Sequence, residues 1–134
     1  QVPQAVIYPK KFGIKKDIAD FQDSVFYLSA DAPVEYSRAN LEQICVQKEF
    51  IPKTKVVPNH ATLLSLMDRE DSAAIMDLWC QPIYDKKFKY VRLEASVPIV
   101  GAFRKNCAHA KIIRMLYKTL AERYEEEVMI IIRK

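Results

Sequence analysis

A chain of 134 residues that is 50% hydrophobic and 28% charged has the balance of one ordinary globular domain, with no need of disulfide or metal staples. Its uncharged apolar runs fall far short of the roughly 20 residues needed to cross a bilayer, no charged-then-apolar leader opens it, and its three cysteines, without paired spacing, read as reduced thiols of an intracellular protein, cytoplasmic or nuclear. The net charge of +4 hides a segregation, −5 over residues 17–50 and +7 over residues 85–118, which implies either a basic surface for an anionic partner or acidic and basic elements that neighbour one another.

The chain opens at Gln1 without a methionine and so reads as a domain excised from a longer protein. Residues 1–16, with Pro3, Pro9, Gly13 and four lysines, predict a flexible basic arm whose Ala5-Val6-Ile7-Tyr8 run adds an edge strand. Ser24-Val25-Phe26-Tyr27-Leu28-Ser29, bounded by an acidic segment and Pro33, predicts a buried strand. Ser37–Phe50 fits two periods: Leu41, Ile44 and Cys45 suit a helix, and Ile44, Val46 and Phe50 a strand, with the helix preferred. Pro52 and Pro58 frame a basic connector, and Asn59 can cap a helix carrying Leu63, Leu64 and Met67. A second helix is expected from Ala73 to Trp79, capped at Asp71 or Ser72 and stopped by Pro82.

The last third is the best patterned. Val91, Leu93, Ala95 and Val97 alternate with Arg92, Glu94 and Ser96, the period of a strand with one wet face. Ile112, Leu116, Leu120 and Tyr124, thickened by Ile113 and Tyr117, predict a helix over about 106–124 capped by Asn106, with its apolar face buried and Lys111, Arg114, Lys118 and Glu122 opposite. Val128–Ile132 has no polar alternate and predicts an interior strand. The expected fold is a single α+β domain over 1–134. It has a mixed sheet and a C-terminal β-α-β unit, in which that helix lies between strands at about 87–97 and 128–132, paired in parallel.

Chemistry is sparsely marked. Gly13 and Gly101 are the only glycines, so a phosphate-cradling loop built on several glycines is excluded, and no dinucleotide cofactor is expected. Cys45, Cys80, Cys107, His60 and His109 lack the local spacing that fixes a metal, so no metal site is expected and the cysteines read as small hydrophobes. Cys107, placed near the start of the long helix beside Arg104 and Lys105, is the one candidate nucleophile for a thiol enzyme, and it has no evident base. Trp79 and Tyr84 offer an aromatic edge of the kind used as partner anchors, although core packing suits Trp79 better.

By elimination the chain reads as a non-enzymatic protein-interaction or scaffold domain, without a cofactor and with a protein partner. The alternative is a binder of RNA, DNA or acidic lipid, compatible with peripheral membrane association. It would use Lys87, Lys89, Arg92, Arg104, Lys105, Lys111, Arg114 and Lys118, with Phe88, Tyr90 and Phe103 as aromatic contacts.

Overall fold

The computed structural model describes residues 2–78, 86–97, 100–104, 107–124 and 129–133. Its sheet is built about β1 (Val2–Pro9), which lies between β4 (Ser72–Asp77) and β5 (Phe88–Val97) and runs antiparallel to both. Residues 4–9 are all buried. Ala5-Val6-Ile7-Tyr8 carries no polar alternate because both faces of the strand are covered. The prolines, which cannot donate to a ladder, fall where donors are dispensable: Pro3 beside a register irregularity and Pro9 at the strand's end. Residues 2–9 are therefore an interior strand, which corrects the expected arm with an edge strand.

Strand order is β3-β2-β4-β1-β5, with β2 (Val25–Ser29) parallel to β3 (Lys53–Val57) and to β4. Helix α1 (Val34–Val46) connects β2 to β3, and α2 (His60–Met67) returns the chain to β4 on the other side of β2. Two crossovers of opposite direction place helices on opposite faces of the sheet. The side chains record this. Leu41 and Cys45 of α1 pack with Val6, Phe26, Leu28 and Ala73, whereas Leu63 and Met67 of α2 pack with Ile7, Tyr27, Ala74 and Phe88. Adjacent residues of β1, β2 and β4 thus feed different cores, as the two-residue period of a strand requires.

A polar strap closes one end. Lys15 Nζ donates to Ser24 Oγ at 2.9 Å and to Asp71 Oδ2 at 3.3 Å, and it lies 4.7 Å from the centre of the Phe21 ring. The buried Ser24 hydroxyl donates to Asp71 Oδ1 at 3.0 Å, so the turns that feed β2 and β4 are tied together.

The strand at 25–29 and the Asn59-capped helix stand as expected, with Asn59 Oδ1 accepting from Thr62 N at 2.9 Å. The ambiguous segment 37–50 is helical over Val34–Val46. Two expectations are corrected. The Pro-framed connector is edge strand β3, whose Lys53 and Lys55 side chains are exposed and whose only buried side chain is Val57. Ser72–Asp77 is a strand and not a second helix: Ala73 and Ala74 are buried on opposite faces, where tertiary packing overrides alanine's helix preference. Trp79, Cys80 and Tyr84 lie outside the described residues.

Past the end of α1, Glu49 has φ 62°, the left-handed conformation that normally selects glycine, while Phe50 N reaches back to Cys45 O at 3.4 Å. Removing the side chain where it is strained is expected to help. Glu49→Gly should raise stability by about 0.5–1 kcal/mol in urea unfolding; a loss would show that the carboxylate contributes more than the strain costs.

The α+β class, the mixed sheet and a C-terminal β-α-β unit are present. The unit's first strand, however, is β6 (Val100–Arg104), which pairs in parallel with β7 (Met129–Arg133) from Val100↔Met129 to Arg104↔Arg133 in a separate two-stranded sheet. This corrects the expected pairing of the 87–97 strand with 128–132. That strand is committed to β1 instead, and Pro98, unable to donate to a ladder, stands in sequence between β5 and β6. Helix α3 covers Ala110–Tyr124; Asn106, its expected cap, and Val128 fall outside the described residues. Among the described residues β7 has one partner strand, so it is not the interior strand that its composition implied.

Candidate docking face and neighbouring groove

Helix α3 begins one turn after Cys107, whose carbonyl accepts from Ala110 N at 3.0 Å. Its apolar positions follow the 3.6-residue period, but the stripe faces solvent: Ile112 is 64% exposed, Met115 62% and Leu116 56%. The expectation that this face is buried is corrected at Ile112 and Leu116; the Leu120 and Tyr124 side chains fall outside what the structure describes. The half-buried side chains, Ile113 and Tyr117, lie roughly a quarter-turn or more around the helix, at about 100° per residue. Lys111, Arg114 and Lys118 are exposed along one flank, and Lys118 pairs with Glu122 at 3.8 Å. The result is an apolar patch just over one turn long with a basic row on one side.

A groove of about 560 Å³ runs between α1, the turn at Lys16–Ile18 and the face of β5 from Val91 to Ala95. Its walls are mainly polar. Lys48 and Asp17 form an ion pair at 3.0 Å, and Asn40 Nδ2 donates to Oε1 of Gln4, a buried polar residue of β1, at 3.2 Å. Asp17 accepts from Ala19 N at 3.0 Å, and Asp20 accepts from Lys16 N at 2.7 Å and Asp17 N at 3.1 Å. The Ala19 amide and then Lys48 hold the Asp17 carboxyl below its ordinary range, and the two backbone amides do the same for Asp20.

Because both carboxyls are depressed in the folded state, the stability they contribute is present above the unfolded carboxylate range. It is lost as pH falls through the lowered folded values. Stability should therefore drop between roughly pH 5 and pH 2, and an Asp17→Asn/Asp20→Asn chain should lose part of that slope; an unchanged acid limb would exclude these two groups as its source.

At the C-terminal ends of the parallel strands, where α/β sheets commonly bind ligands, the protein satisfies itself. Asp31 Oδ2 accepts from His60 N at 2.7 Å and from the Ser29 hydroxyl at 3.2 Å, so the first amide of α2 already faces a carboxylate.

The expected basic surface divides. Lys111, Arg114 and Lys118 share the flank of α3. On β5, Arg92 is exposed and Lys89 half-buried, and Lys87 is exposed just before the strand begins. Of the aromatic contacts expected with them, Phe88 is corrected, being buried among Ile7, Leu63 and Met67, while Tyr90 is half-buried against the same cluster. Phe103 and Arg104 lie on β6, and Lys105 is outside the described residues.

Cys45 is buried under α1, and burial pushes its thiol up to about 12, which fits a packed hydrophobe and not a nucleophile. Cys107 is half-buried and precedes the first turn of α3 instead of lying in it. Among the described residues no group of three His, Cys, Asp or Glu side chains is placed to hold a metal, and no helix is long and apolar enough to cross a membrane. What periodicity alone could not reveal is the polar groove, since Asp17, Asn40 and Arg92 come from three separate parts of the chain.

No protein-family model and no curated protein matches the chain. Among solved structures it resembles an ancestral arginine-binding protein bound to arginine, with a TM-score of 0.51 at 12% identity, over 93% of this chain and 55% of that one. The likeness is one of fold, and the chain spans about half the length of the structure it matches.

Proposed function

We propose that the chain is a non-enzymatic protein-interaction domain of scaffold type, which docks a partner protein on the exposed face of α3. One observation carries this reading: Ile112, Met115 and Leu116, large apolar side chains on adjacent turns, are each more than half exposed. Isolated apolar side chains on a surface are ordinary, as at Ile14 and Ile51, but a contiguous stripe on an amphipathic helix is the usual form of a helix that is read by a groove or another helix. The reading is tested by placing a photo-crosslinking side chain at position 115 in cells, with position 51 as an exposed control. Protein adducts at 115 and none at 51 are expected; adducts to lipid or nucleic acid alone, or none, would defeat it.

The basic row beside the stripe supports one other reading, a helix lying on an anionic membrane or on nucleic acid, with Lys111 and Lys118 toward phosphates and Arg114 further round the helix. It differs in its salt response. Binding to acidic vesicles or oligonucleotides should fall steeply as salt rises and be abolished by charge reversal at Lys111 and Arg114. Retained binding after those changes would remove this alternative.

A further inference from the structure

We infer that the partner of the α3 stripe is a second copy of this chain, whose α1 supplies the complementary face; the inference rests on the protein-docking reading above. Helix α1 has its own outward stripe. Tyr36 is 63% exposed and Val46 66%, with exposed Ala39 and Gln43 between them on the same row. Along one flank stand Glu35 and Glu42, both exposed, seven residues apart. Along the flank of the α3 stripe stand Lys111 and Lys118, both exposed and also seven residues apart, with exposed Glu122 beyond them paired to Lys118 at 3.8 Å. Seven residues of α-helix span about 10 Å, so the acidic and basic rows have matching pitch.

Handedness then selects one arrangement. At about 100° per residue, Glu35 and Glu42 fall roughly 60° from the centre of the α1 stripe, and Lys111 and Lys118 about 100° from the centre of the α3 stripe, both in the same rotational sense. Two helices set stripe to stripe, each with its charged flank on the same rotational side, bring those flanks together only when their axes run antiparallel. In that arrangement Lys111 meets Glu42 and Lys118 meets Glu35 of the other copy. A parallel arrangement would put the two rows on opposite sides of the contact. The contact draws two carboxylates from the acidic 17–50 segment and two lysines from the basic 85–118 segment.

The test is sedimentation of the full 134-residue chain across a concentration series, at low and high salt. The chain should self-associate, less so at high salt. K111E/K118E and E35K/E42K change only exposed positions and should stay close to the wild-type melt, K118E exchanging only the surface Lys118–Glu122 pair for a like-charge one, yet each alone should associate roughly tenfold or more weakly, because every cross-copy pair becomes repulsive. Mixed in equal amounts, the two variants should associate again, since the acidic α3 of one meets the basic α1 of the other. A wild-type chain that stays monomeric throughout, self-association indifferent to both variants, or a mixture that fails to recover would overturn the proposal. Monomeric behaviour together with protein adducts at position 115 would leave the docking reading standing and remove only the second copy as its partner.

Discussion

Deletion of residues 1–9 is expected to abolish the cooperative fold. Val6, Ile7 and Tyr8 are almost wholly buried, and among the described residues β1 is the only strand that joins β4 to β5. Exposing a buried Val, Ile or large aromatic side chain costs about 1.5–3 kcal/mol each, so the loss of three, with two ladders of hydrogen bonds, is comparable with the roughly 5–15 kcal/mol that holds a domain of this size together. Both cores lose a member, because Val6 and Tyr8 face α1 while Ile7 faces α2. The truncated chain should show no sigmoidal urea transition and no slowly exchanging amides in β4. A cooperative melt close to that of the full chain would mean that β4 and β5 close on each other without β1.

The same strand shows where reading the sequence stops short. Ala5-Val6-Ile7-Tyr8 is recognisable as a strand, but its pattern carries no information about its neighbours, and a segment with two prolines near a chain end resembles an arm. Its interior position follows from pairings with residues some 70 to 90 positions away, Val6 with Ile75 and with Val91. Ser72–Asp77 was hidden for the complementary reason. Ala73 and Ala74 are buried on opposite faces of β4, one in each core, while alanine intrinsically favours a helix. Local signals with a local cause came through: the Asn59 cap, the Val25–Ser29 strand, and the alternation that buries Val91 and Leu93 and exposes Arg92 and Glu94.

For the docking face, helical spacing was enough to group Ile112 with Leu116 and to set Lys111, Arg114 and Lys118 apart from them. Spacing defines a face but not what lies against it, so the exposure of that face was beyond its reach. Phe88 is next to the lysines in sequence but not in the fold. In a strand, adjacent residues point to opposite sides, so the α2 core takes the Phe88 ring and part of the Tyr90 ring.

The largest effect expected of a single substitution lies at Phe21, which is fully buried where three elements converge. Its ring meets Tyr8 edge-on, with centroids 5.3 Å apart and planes at 73°, and lies 6.0 Å from the Phe26 ring. The Lys15 ammonium sits 4.7 Å from its centroid, held there by Ser24 and Asp71. Phe21→Ala should cost about 3–5 kcal/mol in urea unfolding, from lost transfer energy and the cavity left behind. Phe21→Leu separates the terms: it keeps most of the apolar volume and loses the edge-to-face contact, about 0.5–1.5 kcal/mol, and the cation-π contact, about 0.5–2 kcal/mol. A Lys15→Met change should then cost less in the Phe21→Leu background than in the wild-type chain, by the amount of the cation-π contact. Equal costs in the two backgrounds would show that Lys15 acts through Ser24 and Asp71 alone, and a loss below about 1 kcal/mol for Phe21→Ala would show that the α1-side core closes over the gap.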